Sequence, residues 1–423
     1  MKNITLLFPG QGSQYEGMGK KLYDNYSVAK HIFHEANDAL GFDLKELCFS
    51  GSLDELTKTE NAQPAILTCS VAAYEVYMKE FGILPTYYAG HSLGELSALA
   101  CAGIFSFADS VKIVRERGRL MQEAAASGVG AMAAVSGIDK NVLKAKCEEY
   151  SNDNSIVVIS NYNSPDQIVI SGHKSAVEKL SLELKSINAM VVPLKVSAPF
   201  HSPLMETIKG KFREVLESYP CGDFKGTVIS NVTGLPHKSK DILVDLLTEQ
   251  LVQPVQWEST MKFLYESGVR TVMEIGPKTV LANLAVKNIP DIKAFSYDKP
   301  EDIEKFRKII NNNTSGRSEN IPESTVVTRC LAIAVCTKNK NWDNEEYQKG
   351  VIEPYRRIQR LQEELDKTGD KPSLEQMKEA LEMLKSVFET KKTPVQEQIE
   401  RYNQVFDETG TRHLFADFIM PNQ

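Results

Sequence analysis

No stretch of the 423 residues approaches the roughly 18 apolar residues of a membrane span, and the opening MKNITLLFPGQG has too short an apolar run for a secretory signal. A cytoplasmic chain without membrane contact is expected. Cysteine is sparse: there are seven, an odd number, widely spaced and without a CxxC or CxxH pair, which argues against a disulfide frame and against a zinc site. Cys69 and Cys101 lie in apolar helical runs and read as core. Positive charge is in deficit, with 49 Lys and Arg against 56 Asp and Glu, a formal net charge of −7 and a pI near 5.7, the wrong balance for a nucleic-acid binder. An acidic chain also repels acidic partners, so an anionic substrate needs positive groups held locally. Aromatic residues are few, at 8%, but a 42% hydrophobic share with 25% charged residues is ample for a soluble globular core, and the length suggests two or three units.

The local patterns alternate between strand and helix. Residues 3 to 8, NITLLF, read as a buried strand running into the turn PGQGSQ, with a helix from Gly17. Gln63 to Phe81 has apolar residues at helical spacing; PTYYAG then reads as a strand and LGELSALACAG as the helix after it. Residues 130 to 196 follow the order β-α-β-β-α-β of a ferredoxin-like unit. GTVISNVTG and VRTVMEIGP resume the first pattern, so a large domain is expected from 1–128 and 197–300, interrupted by a subdomain at 129–196. Polar, aperiodic NNNTSGRSENIPEST places a linker at 301–325. Beyond it a helical extension, 326–423, is expected, with helices at 349–368, 373–391 and 394–409. The second carries a Ser373/Gln376 capping box and apolar Leu374, Met377, Leu381, Leu384 and Phe388; the third opens on Thr393 and Pro394 and stops at Gly410. No catalytic constellation stands in this tail, which suits a helical hairpin or a partner-docking surface.

In AGHSLGEL, the G-x-S-x-G spacing of Gly90, Ser92 and Gly94 between a strand and a helix has the form of a nucleophile elbow. A serine hydroxyl needs a base to take its proton. His31 and His34 lie on a polar helix, His173 follows a strand as a cap, His237 sits in LPHKSK, and His413 is beyond the linker. His91 adjoins Ser92, but neighbouring side chains diverge at a tight turn, so it reads as a packing group. His201, in SAPFHSPLM where the subdomain rejoins the large domain, is either the base or a histidine satisfied in place.

The turn FPGQGSQ lacks the third glycine of a dinucleotide loop, where Tyr15 stands, and has no Walker match. Its backbone N–H groups, with that of Leu93, could stabilise an oxyanion at roughly 10²- to 10³-fold per donor, or the turn could simply connect a strand to a helix. Arg117 has apolar Ile113, Val114, Leu120, Met121 and Ala124 as helical neighbours, whereas Arg115 is expected on the wet face. A buried arginine needs an anionic partner: an internal Asp or Glu, or a substrate carboxylate held by the two-pronged guanidinium.

With FPGQGSQ, AGHSLGEL, the arginine helix, SAPFHS and LVQPVQW placed, the chain resembles malonyl-CoA:acyl-carrier-protein transacylases, including the stand-alone acyltransferases that serve polyketide synthases in trans. The likeness runs over residues 1 to about 295 in family order. It implies an α/β fold: an α/β-hydrolase-like large domain with the ferredoxin-like (βαββαβ) subdomain inserted, and a site in the cleft between them. By position it makes Ser92 the nucleophile, His201 the general base and acid, Arg117 the clamp for the malonyl carboxylate, and the amides of Gln11 and Leu93 the oxyanion donors. Gln250 is the residue whose main-chain carbonyl orients the histidine, Phe200 matches the malonyl-selecting version of its motif, and Gln63 lines the pocket. The implied reaction takes malonyl from malonyl-CoA to the phosphopantetheine thiol of an acyl carrier protein or polyketide synthase carrier domain. A monomer with no bound cofactor and no metal is expected. The tail resembles the segment that follows the acyltransferase in some trans-acting polyketide proteins. The competing readings are an acyl hydrolase that clears carrier proteins, which usually lacks the clamp arginine, and a non-catalytic scaffold that docks a synthase through the C-terminal helices.

Overall fold

The run ITLLF is buried at every residue, as a strand covered on both faces must be. In the computed structural model, which describes residues 3–125, 128–194, 196, 198–315, 325–341, 343–415 and 418, this run is β1 (Ile4–Phe8) at the centre of a sheet. It pairs in parallel with β2 (Tyr87–Gly90) on one side and with β8 (Thr271–Glu274) on the other; β7 (Thr227–Ile229) and β9 (Lys293–Ser296) complete the order β7-β2-β1-β8-β9. The register Phe8↔Gly90 sets the carboxyl ends of β1 and β2 level. Ligand sites in parallel sheets gather at such ends, and the two glycine-rich turns leave from here.

Helix Thr59–Phe81 is buried along most of its length and lies against helix Phe107–Ala125. Pro64 stands inside the first of these and supplies no N–H to the carbonyl of Glu60 four residues back. Arg115 fills the gap: its NH1 donates to Glu60 O at 2.7 Å and its NH2 lies 3.2 Å from the Glu60 carboxylate. Arg115 was expected on the wet face; it is instead a half-buried brace between two helices, because a proline elsewhere left an acceptor open.

The second sheet is antiparallel, with β3 (Gly130–Ser136), β4 (Val157–Ser164), β5 (Gln167–His173) and β6 (Met190–Pro193) in the order β4-β5-β3-β6. Helices Lys140–Glu149 and Lys174–Ser186 cover one face through Leu143, Leu180 and Leu184 against Val135 and Ile170. On the other face Met132 and Val169 join the core of the large sheet's layer. β4 is tied to that layer by backbone bonds, Tyr162 N to Val255 O at 3.0 Å and Val255 N to Ser160 O at 2.9 Å. His173 stands at the N-cap of Lys174–Ser186, as expected, but its side chain bonds elsewhere: its Nδ1 accepts Ile156 N at 2.9 Å.

The chain divides into Met1–Asn312 and Asn313–Gln423. The expected linker at 301–325 begins as helix Pro300–Ser315, whose Ile303, Phe306 and Ile309 pack on the core of the first unit; residues 316–324 lie outside the described residues. With Ile310, Ile303, Phe306 and Ile309 make four apolar residues on one side of the helix, and the polar run after them masked it. In the second unit, helices Glu353–Thr368, Leu374–Thr390 and Val395–Thr409 are joined by Val326–Cys336, which the sequence reading did not resolve. Ser373 Oγ accepts Gln376 N at 3.3 Å and Gln376 Oε1 accepts Ser373 N at 2.8 Å, a complete capping box. Leu381, Leu384 and Phe388 are buried with Val327, Val405 and Phe406, whereas Leu374, expected inside, is exposed. Cys69 and Cys101 are buried, and no helix among the described residues is long and apolar enough to cross a membrane.

Candidate active site

Ser92 sits between β2 and helix Leu93–Cys101 with φ 53° and ψ −107°, a conformation that costs a non-glycine residue free energy and lifts its side chain off the backbone. The flanking glycines are needed for space: a Cβ on Gly90 would lie 1.9 Å from the carbonyl oxygen of Gly94, and one on Gly94 would lie 1.9 Å from that of Phe8. Gly10 is as close to the elbow, since its Cβ would meet His91 O at 2.4 Å. The turn that carries Gln11 is therefore pressed against the turn that carries Leu93. The Gln11 side chain is turned aside, its Nε2 donating to Thr59 Oγ1 at 3.3 Å.

The protein brings His201, Arg117, Gln63 and Gln250 around Ser92. Ser92 Oγ is 2.8 Å from His201 Nε2, and His201 Nδ1 is 2.7 Å from the carbonyl oxygen of Gln250. A carbonyl only accepts, so Nδ1 carries the proton and Nε2 is free to accept the serine hydroxyl. Burial, then the charge of Arg117, pushes His201 down to about 3 from an ordinary 6.5, so the ring is neutral near pH 7. Among the described residues no acidic side chain hydrogen-bonds to it. Phe200 is buried next to His201.

Arg117 is 1% exposed. Its NH1 donates to Gln63 Oε1 at 2.9 Å, and its NH2 to Gln250 Oε1 at 2.8 Å and to Ser92 Oγ at 3.2 Å; Nε has no partner among the described residues. Burial lowers its pKa to about 10, with Glu95 acting in the opposite direction, so it remains cationic near pH 7. The contacts run in one direction: guanidinium to Ser92 oxygen, Ser92 hydroxyl to His201, His201 to Gln250. Such a set can deprotonate the serine while holding an anion beside it.

Two participants escaped the sequence reading. Asn231, from ISNVTG, accepts Ser92 N through Oδ1 at 2.6 Å and donates to Gly90 O at 2.7 Å. Glu95, fully buried, accepts Gln250 Nε2 at 2.6 Å and Asn231 N at 3.0 Å through Oε2, with His237 Nε2 2.8 Å from its Oε1. A lone acid in the apolar helix LGELSALAC was the available signal for Glu95. His91 does pack as expected, beside Trp257, with Nε2 2.8 Å from Asn163 Oδ1.

A cavity of about 440 Å³ elsewhere in the first unit is lined by Tyr15, Glu80, Tyr297, Asp298 and Arg307 among others, and by none of Ser92, His201 or Arg117. Its polar groups already serve one another, Tyr297 donating to Glu80 at 2.9 Å, Arg307 to the same carboxylate at 3.3 Å, and Tyr15 to Asp298 at 2.9 Å.

Residues 5–304 match the family model of the acyl transferase domain. A malonyl CoA-acyl carrier protein transacylase of Bacillus subtilis is 38% identical over 401 residues, 94% of this chain and 99% of that one; another, from strain 168, is 45% identical over 306 residues, 72% and 96%. Among solved structures, the FabD of Acinetobacter baumannii is 41% identical with a TM-score of 0.70, covering 74% of this chain and 99% of its own. A malonyl-transacylase in complex with its type II PKS acyl-carrier protein, PlMCAT with AntF, is 38% identical with a TM-score of 0.70 over 73% of this chain and 100% of that one.

Proposed function

The chain belongs to the acyl transferase domain family, and from that premise we propose that it transfers a malonyl group from malonyl-CoA to the phosphopantetheine thiol of an acyl carrier protein. One observation carries the substrate assignment: Ser92 Oγ lies 2.8 Å from a neutral histidine nitrogen and 3.2 Å from a buried guanidinium. A malonyl thioester has its carboxylate one methylene away from the carbon that the serine attacks. The spacing of base and cation about one oxygen suits that group and has no use for an acetyl group.

In the first half-reaction His201 Nε2 takes the hydroxyl proton as Ser92 Oγ bonds to the thioester carbon. The N–H groups of Gln11 and Leu93 receive the negative charge that develops on the carbonyl oxygen. When the tetrahedral adduct collapses, the C–S bond breaks and the histidinium returns the proton to the CoA sulfur, leaving malonyl-serine. In the second half-reaction the carrier thiol loses its proton to His201, attacks the ester, and Ser92 leaves with that proton. Arg117, backed by Gln63 and Gln250, holds the malonyl carboxylate through both halves, and Phe200 bounds the acyl group beside the histidine. The partner is a free carrier protein or a polyketide synthase carrier domain, and the reaction is placed in the cytoplasm. The unit from 313 onward is assigned to docking a partner rather than to chemistry.

Intact-mass measurement after mixing with malonyl-CoA, acetyl-CoA and methylmalonyl-CoA tests this reading. A malonyl-sized adduct absent from Ser92→Ala is expected; acetyl loading with no malonyl loading would overturn the assignment.

A further inference from the structure

Arg117 is a buried cation whose three hydrogen-bond partners, Gln63, Gln250 and Ser92, are all neutral. The carboxylate that bears on it is Glu95, one residue removed, in contact with the far end of the Gln250 amide. We propose that Glu95 is the positioning residue of the carboxylate clamp: it fixes the Gln250 amide with its oxygen toward Arg117, and so keeps the guanidinium aimed at the acyl group. The proposal rests on the malonyl-transfer reading and adds to it the group that makes the site choose.

A primary amide presents nearly the same shape in two orientations, with oxygen and nitrogen exchanged. Left to itself, Gln250 could turn its NH₂ toward Arg117, setting donor against donor and freeing the guanidinium from its acceptor. Glu95 removes that choice, because a carboxylate only accepts and its Oε2 takes Gln250 Nε2 at 2.6 Å. Glu95 is itself held at three points: His237 Nε2 at 2.8 Å on Oε1, and Asn231 N at 3.0 Å with the Gln250 amide on Oε2. The carboxylate that orients the clamp also orients the elbow, since Asn231 bonds the backbone of Ser92 and Gly90. Gln250 is thus used twice through different atoms, and its Nε2 has the Ser92 carbonyl oxygen as a longer second acceptor at 3.1 Å. Its backbone carbonyl holds His201, and its side chain holds Arg117.

That separation gives the test. The full-length chain, Glu95→Gln, Gln250→Met and the double variant are compared for loading of Ser92 from malonyl-CoA and from acetyl-CoA, as kcat/KM by rapid-quench intact mass. In Glu95→Gln the residue at 95 can donate as well as accept, so the lock is lost while size is kept. Malonyl kcat/KM should fall about 10- to 100-fold, the scale of a hydrogen bond to a charged group. Acetyl kcat/KM, which does not use the clamp, should fall by less, the loss passed on through Asn231 to the elbow, so the malonyl-over-acetyl ratio should drop. Gln250→Met should lower the ratio as well, and adding Glu95→Gln to it should change the ratio little, because on the clamp the two act through one contact. The proposal is overturned if Glu95→Gln keeps the malonyl-over-acetyl ratio, both substrates falling by the same factor or not at all, or if the ratio in the double variant falls by the product of the single losses. If Glu95→Gln does not fold, an unchanged ratio in Gln250→Met overturns it. A wild-type chain that takes no malonyl on Ser92 sinks the transfer reading itself, a result distinct from all of these.

Discussion

Ser92 stands between a donor and an acceptor, so its neighbours answer for different properties. Arg117→Ala removes the cation and leaves the dyad. Its malonyl-over-acetyl preference should fall by up to about 10⁴, the discrimination available to a site whose buried polar group is left unpaired by the wrong substrate. Arg117 is also the second cause, after burial, of the depression of His201. A base held below its ordinary value stays unprotonated as the pH falls, so acetyl loading by the wild type should be flat through the usual histidine range near 6.5 and fail only toward about 3. In Arg117→Ala the acid limb should move to higher pH. Single-turnover acetylation across that range reads it, and a limb that stays in place would detach the arginine from the base. Ser92, His201 and Arg117 were legible in the sequence because a glycine spacing, a junction histidine and a charge on an apolar stripe are local patterns. Asn231 carries no such pattern, and the lone charge of Glu95 on an apolar helix was a signal without a direction, since the partners that give the two their roles lie 139 and 155 residues away.

At the scale of elements, two contacts repair what the sequence breaks. Pro64 deprives Glu60 O of its helical donor and Arg115 supplies one, so Arg115→Met should lower stability by about 1 kcal/mol, the lower end of the cost of an acceptor left open, since the site is only partly buried. Thermal denaturation measures it; an unchanged midpoint would mean that the brace is incidental. Glu274, at the end of β8, accepts Ala282 N at 2.9 Å in the first turn of helix Val280–Asn288. Burial holds its carboxyl up at about 8, above the 4.5 of the unfolded chain. The folded chain therefore keeps a proton that the unfolded chain gives up: the contribution is whole below 4.5 and lost as the pH rises through about 8. Glu274→Gln, which cannot ionise, should show a smaller fall in melting temperature across that interval than the wild type. A parallel fall in both would assign the pH dependence elsewhere.

For the whole molecule, each unit has its own apolar core: Leu6, Phe8, Ile66 and Met273 belong to the first, and Leu331, Leu384 and Phe406 to the second. A chain ending at residue 312 should fold and keep Ser92 malonylation within about twofold, because that unit has a core of its own and holds every residue assigned to the chemistry. Loss of the fold on truncation would make the second unit part of the first unit's stability; retained malonylation with lost partner binding would support the docking role. The two sheets were legible because β1 is apolar but for Thr5 and the subdomain's order of strands and helices is written in its periodicity. The helix Pro300–Ser315 was not, since a polar neighbour run outweighed its four apolar residues. By itself the sequence determined the elbow, the strand and helix order, and which side chains are chemically able to act, because each depends on neighbours in the chain. Tertiary structure alone decided that Gln250 serves base and clamp with different atoms, and that Glu95 sets its direction. Those assignments depend on where Gln250 meets donors and acceptors from three distant segments, and hydrogen-bond direction is fixed only when they are packed together.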